Sequence, residues 1–227
     1  MTNETQPRPR RRLALAALAA AALAAGLGGV YVIGGADGNT KQAASCRGAL
    51  DIARAVAPMA KGELAAFLPA EKPMSVADLT FSDDAGQKMS LADFSGKTVL
   101  LNLWATWCAP CRKEMPALDQ LEAEMGSDDF EVVAVSVDQN GNEKPKAFLK
   151  EIGVEHLVFR ADPSMKIFQD VRARGRAPGL PTTLLIDGKG CEIGAVMGPA
   201  EWASGDAKAL IRAALDEGRK TGASGGS

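Results

Sequence analysis

The chain has 227 residues, and its 26 basic and 28 acidic side chains leave a net charge of −2. Once the termini are set aside, that is room for one ordinary domain with a full core, and it excludes the basic surplus a nucleic-acid binder would carry. The four cysteines are an even number. In an exported protein this points to disulfides, in a cytosolic one to metal binding or catalysis, so the compartment decides how they are read.

Residues 1–12 form a polar N-terminus with Arg8, Arg10, Arg11 and Arg12 just before an uncharged stretch. Residues 13–35 carry no charge, and the run is long enough to supply the roughly 20 apolar residues a bilayer crossing needs. The positive flank before it predicts a cytoplasmic N-terminus and an exported remainder. The segment reads as a single-pass signal anchor. The alternative is a signal peptide cleaved near Gly34 to Ala36, although such peptides have apolar cores of only ~7–15 residues.

Residues 36–75 read as a linker followed by an amphipathic helix over Cys46–Met59, ended near Pro58, with Ala65–Pro73 as loop. The expected main domain covers 76–220. It opens with a hairpin, Leu79–Phe81 and Gln87–Leu91 around Asp83-Asp84-Ala85-Gly86. Val99–Trp104, apolar apart from Asn102, reads as a buried strand, and Met115, Leu118, Leu121 and Met125 mark the helix after it. Phe130–Val137 is the next strand, completing a parallel crossover unit. Glu143–Ile152 reads as a helix, Leu157–Phe159 as a short strand, and Asp162-Pro163-Ser164 as the cap of a helix through about Val171. Arg172–Leu180 is a loop whose Arg172, Arg174 and Arg176 form either a basic rim for acidic partners or a solvated surface. Thr182–Ile186 and Cys191–Met197 read as strands joined by Asp187-Gly188-Lys189-Gly190. Trp202–Glu217 is a closing helix, and 221–227 a flexible tail.

The chemistry centres on Cys108 and Cys111, which straddle the predicted helix start with Pro110 in its first turn. Free N–H groups and the positive end of the helix stabilise a thiolate at Cys108, the attacking sulfur. Cys111 lies one turn on, placed to close a disulfide and to act as the resolving thiol. Glu114 lies one turn beyond Cys111, where it either accepts the resolving thiol's proton or is an exposed acid paired with a nearby cation. A structural zinc half-site would need more ligands, and His156 is the only histidine. Cys46 and Cys191 are candidates for a structural disulfide because exported thiols tend to pair; the alternative is two independent buried thiols.

The segment W-C-A-P-C after an apolar strand, with Pro181 in G-L-P-T-T before another, resembles the thioredoxin superfamily over about Val76–Leu215. Within it the chain is similar to the membrane-tethered, periplasmic TlpA-like and ResA-like branch, with the N-terminal anchor placing it nearest the TlpA members; the resemblance implies a catalytic domain on the periplasmic face of a bacterial inner membrane. The resemblance implies an α/β thioredoxin-like fold, a central mixed sheet flanked by helices, with an N-terminal hairpin and a central strand-helix insertion. It implies a cis-proline at Pro181 beside the dithiol and backbone recognition of substrate at Leu180, with Thr182 next to it. Trp107 would shield the disulfide rim. The buried aspartate of thioredoxin falls on Asn102, so Glu114, which matches a ResA glutamate, is the acid left to fill that role.

By the same resemblance the activity is thiol:disulfide exchange with no cofactor or metal beyond the Cys108–Cys111 pair. The protein would reduce oxidised cysteines of cytochrome c or cytochrome-oxidase assembly proteins, including copper-delivery proteins, and draw electrons from a membrane dithiol donor. The rivals are a Sco-like copper-binding assembly factor, which would want C-x-x-x-C and a distal histidine, and a disulfide oxidant on the same fold.

Overall fold

Strand Thr98–Trp104 is buried at every residue. Its run of Val and Leu satisfies a position with neighbours on both edges and layers on both faces. The computed structural model in which it lies describes residues 45–223. The expected anchor at 13–35, the basic N-terminus and the start of the linker fall outside the described residues. Among the described residues no helix is long and apolar enough to cross a membrane.

In chain order the strands are β1 (Leu68–Pro69), β2 (Thr80–Ser82), β3 (Lys88–Ser90), β4 (Thr98–Trp104), β5 (Phe130–Ser136), β6 (Arg160–Ala161), β7 (Thr182–Ile186) and β8 (Glu192–Met197). They form one sheet in the order β1-β8-β7-β4-β5-β6-β2-β3. The β4–β5 and β5–β6 pairs are parallel, and the β4–β7 and β7–β8 pairs antiparallel. The helices are α1 (Arg47–Val56), α2 (Ala109–Met125), α3 (Glu143–Glu151), α4 (Lys166–Ala173) and α5 (Gly205–Ala223). This is the mixed, helix-flanked thioredoxin-like sheet that the sequence led us to expect. The hairpin β2–β3 joins it through β6, the strand of the insertion.

Helix α1 buries Ala49, Ile52, Ala53 and Val56 and packs on α5 and β8. Its leading residue Cys46 is bonded to Cys191, with both side chains fully buried. The described residues, 45–223, therefore belong to one body, which begins well before the expected boundary at 76. Inside the expected loop Ala65–Pro73, β1 pairs with β8. Gly194 admits this edge: a Cβ there would lie 2.3 Å from Phe67 Cζ and 2.7 Å from the Leu68 carbonyl oxygen.

Three expectations shift. The insertion strand is Arg160–Ala161, not Leu157–Phe159, because the Asp119 carboxylate on α2 takes the amides of Glu155, His156 and Leu157 at 3.3, 2.7 and 2.9 Å. Amides satisfied by a side chain have no ladder bond to make. Helix α4 starts at Lys166; Asp162 still caps it, reaching past the left-handed Met165 to accept the Ile167 N–H at 2.7 Å. The closing helix starts at Gly205, and Trp202 precedes it as a buried loop residue. At its other end α5 runs through Ala223, overtaking the start of the expected tail.

Candidate dithiol site

Strand β4 ends at Trp104, and the chain turns through Ala105, Thr106 and Trp107 into α2. Cys108 is the helix N-cap. Its Sγ accepts the Cys111 N–H at 3.3 Å, and its own N–H donates to the Ala105 carbonyl. Pro110 occupies the first turn, where a missing donor costs nothing. The two sulfurs are bonded at 2.02 Å. Cys111 is fully buried and Cys108 is 6% exposed, so the helix-terminal cysteine is the reachable residue of the two. Trp107 beside it is 60% exposed, whereas Trp104 is core.

On the neighbouring strand Leu103 pairs with Thr182, so the antiparallel register sets Pro181 and Leu180 level with Trp104 and Ala105. The Leu180–Pro181 peptide is cis. The Pro181 carbonyl accepts the Gly198 N–H at 3.0 Å, and Thr182 Oγ1 donates to the Gly179 carbonyl at 2.8 Å. Leu180 makes no backbone hydrogen bond among the described residues.

Glu114 is not a surface acid. It sits 4% exposed on the apolar face of α2, in the row of Cys111, Met115, Leu118 and Leu121. Asn102 Nδ2 donates to its Oε1 at 2.8 Å, and the Ala200 N–H and Trp202 Nε1 donate to its Oε2 at 3.3 and 3.4 Å. Desolvation is the largest influence and raises the carboxyl from its ordinary 4.5 to about 7, against the lowering effect of the three donors; the charge of Glu201 adds to the rise. The acid missing from position 102 is thus supplied to the same neighbourhood by α2, with Asn102 as its partner.

Sequence reasoning missed Asp138 and Thr106. Both are buried where β4 and β5 end, and Asp138 accepts the Thr106 N–H at 2.8 Å and its hydroxyl at 2.6 Å, with Ser136 Oγ on the same carboxylate at 3.0 Å. The signal was present as an acid directly after a buried strand. The basic rim, by contrast, is mostly spent inside the molecule. Arg174 pairs with Asp78 and Arg176 with the buried Glu192, both at 2.6 Å, and Arg172 alone of the three is exposed.

A cysteine pair at the head of the helix that follows a central strand, level with a cis-proline one strand over, is the arrangement of thioredoxin-fold dithiol proteins. Residues 69–211 match the redoxin family pattern. The thioredoxin-like protein YneN of Bacillus subtilis is 37% identical over 115 residues, 50% of this chain and 64% of that one. The thiol-disulfide oxidoreductase ResA of Bacillus thuringiensis is 34% identical over 122 residues, 52% of this chain and 64% of that one. The chain thus spans just under two thirds of these curated relatives. A Chlorobium tepidum structure assigned as a thiol:disulfide interchange protein DsbE superposes with a TM-score of 0.55 at 30% identity, over 64% of this chain and 98% of that one. The chain belongs to the redoxin family, in its TlpA- and ResA-like thioredoxin-fold branch.

Proposed function

We propose that this protein is a thiol-disulfide oxidoreductase that works as a dithiol reductant of particular proteins. The observation that carries the reading is the Cys108 Sγ at the N-cap of α2, accepting a helix N–H on the more exposed residue of the pair. Once the disulfide is opened, that N–H and the helix terminus stabilise a thiolate there. The thiolate attacks one sulfur of a partner's disulfide, and the partner's other sulfur leaves with the electron pair and takes up a proton. Cys111 then loses its proton to Glu114 and attacks Cys108 Sγ. The Cys108–Cys111 bond forms, the mixed disulfide breaks, and the partner leaves as a dithiol.

Leu180 offers an unpaired amide and carbonyl for strand-like pairing with the partner's backbone beside its disulfide, and Trp107 offers an exposed aromatic surface next to Cys108. Thr182, Pro181 and the Gly179 carbonyl hold that loop in place. The uncharged segment at 13–35, in this reading, anchors the domain to the outer face of a bacterial inner membrane. Tethering raises its concentration near membrane-bound partners, namely cytochrome c or cytochrome-oxidase assembly proteins with oxidised cysteines and a dithiol donor that recharges it. The relatives named as oxidoreductases support the exchange chemistry; the tether and the assembly partners rest on the sequence resemblance.

The test is the midpoint potential of the 108/111 pair together with an insulin-reduction assay on the exported domain. A potential as reducing as that of thioredoxin, about −270 mV, with turnover in the assay supports the reductant. A potential near −120 mV places the protein among oxidants instead.

A further inference from the structure

Every partner of the Glu114 carboxylate is a donor. The Asn102 amide gives one N–H to Oε1, and the Ala200 N–H and Trp202 indole N–H serve Oε2. That set suits the ionised acid and leaves a protonated Glu114 with an O–H and nothing to receive it. Yet an acceptor lies in reach. Asn102 Oδ1 is buried without a hydrogen-bond partner, on the same amide whose Nδ2 holds Glu114. The other N–H of that Nδ2 goes to Thr183 Oγ1 at 2.9 Å, across the β4–β7 pair Asn102–Thr183.

We propose that the Asn102 carboxamide turns over when Glu114 takes up a proton, so that Oδ1 replaces Nδ2 and accepts hydrogen bonds from the Glu114 carboxylic O–H and the Thr183 hydroxyl. The exchange is like for like. Amide nitrogen and oxygen occupy nearly the same space, each offers two hydrogen-bonding directions in the plane, and a threonine hydroxyl serves as acceptor in one state and donor in the other. The turned-over state leaves the –NH2 group in the buried place where Oδ1 now sits, and two orphaned buried N–H groups cost more than one under-satisfied carbonyl oxygen. Asn102 therefore turns only while the proton is present and favours its release afterwards. In the exchange cycle this makes Asn102 a positioning residue that receives Glu114 as an acid after Cys111 has given up its proton and restores it as a base. The catalytic meaning rests on the proposed role of Glu114; the amide motion does not.

The ionisable groups around Glu114 are Glu201 from the loop before α5, whose charge acts on it, and the two cysteines of its own helix, which are silent while bonded to each other. The oxidised protein is therefore the form to test. With asparagine side chains labelled with 15N and glutamate carboxyls with 13C, the Asn102 amide protons are followed from pH 5 to pH 9, assigned by their loss in Asn102→Asp. The expected result is that both amide protons move upfield on acidification, with the same midpoint as the Glu114 carboxyl, and that in Glu114→Gln they no longer move. Amide signals that stay fixed while Glu114 titrates overturn the turnover, as do signals that still move in Glu114→Gln. Exchange turnover of Glu114→Gln is read separately. Unchanged turnover there removes the catalytic role while leaving the amide result standing on its own.

Discussion

The Asp138 carboxylate holds Thr106 by both its backbone N–H, at 2.8 Å, and its hydroxyl, at 2.6 Å, two residues before Cys108. The pair ties the end of β5 to the turn that presents the dithiol, and Val137 N–H donates to the Trp104 carbonyl beside it at 2.8 Å. Asp138→Ala leaves two buried donors of Thr106 unpaired. Hydrogen bonds to a charged group contribute about 1.5–3 kcal/mol each, so a loss of about 3–6 kcal/mol in urea unfolding is expected, with slower exchange because the Cys108 turn loosens. Full stability in this variant would show that the clamp is not formed in solution.

The roles of the two active sulfurs separate by substitution. Cys108→Ser abolishes insulin reduction, since the buried Cys111 cannot meet a partner's disulfide. Cys111→Ser keeps the first attack and loses the second, so a mixed disulfide with the natural partner accumulates and is recovered on a non-reducing gel. A Cys111→Ser protein that captures nothing contradicts the two-step exchange.

Glu114 carries a pH dependence whose sign follows from its raised titration. Its carboxyl titrates near 7 in the folded protein and near 4.5 once exposed, so between those values the native state holds the proton more firmly than the unfolded chain. Stability from this group is complete below pH 4.5, falls as pH rises, and is lost above about pH 7. The span amounts to about 3 kcal/mol at 1.36 kcal/mol per unit. Glu122, Asp187 and Glu192 are raised by burial as well, so the measurement is the difference between the unfolding curves of the wild type and Glu114→Gln from pH 4 to pH 9. The proposed exchange, with Glu114 as the proton acceptor, is expected to show the opposite trend. It weakens below pH 7, where Glu114 is already protonated and cannot take the proton of Cys111.

The second disulfide is expected to serve stability alone. Cys46 and Cys191 are 145 residues apart in sequence, and closing so long a loop contributes about 5 kcal/mol in the chain-entropy model. Cys46→Ser with Cys191→Ser is expected to lose much of that in urea unfolding while keeping the exchange activity of the dithiol. Both sulfurs are fully buried, so mild reductant followed by a thiol label should mark Cys108 and leave Cys46 and Cys191 unlabelled until the protein unfolds. Early labelling of either shows the bridge to be open.

Gly194 supplies a packing test away from the site. A Cβ placed 2.3 Å from the Phe67 ring has to displace an aromatic side chain and the β1 edge. Gly194→Ala should therefore cost about 1–3 kcal/mol, the usual range for overpacking, with the midpoint potential unchanged.

Local chemistry was enough to expose the dithiol. An apolar run ending in W-C-A-P-C announces strand, turn and helix start within a few residues, and the helix-terminal thiol follows from backbone donors that every helix leaves free. The buried strands β4, β5 and β7 were legible for the same reason, since short apolar β-branched runs leave few alternatives. What the sequence could not decide was where side chains distant along the chain meet. The burial of Glu114 depends on Asn102 twelve residues back and on Ala200 and Trp202 at the far end of the domain; its place in the Cys111, Met115, Leu118 row was the one local sign. The Asp138 clamp, the spending of Arg174 and Arg176 on Asp78 and Glu192, and the capture of the 155–157 amides by Asp119 are likewise contacts between segments. Pattern and propensity act over a turn or two of chain, whereas the desolvation that makes an acid a base at neutral pH is set by everything folded around it.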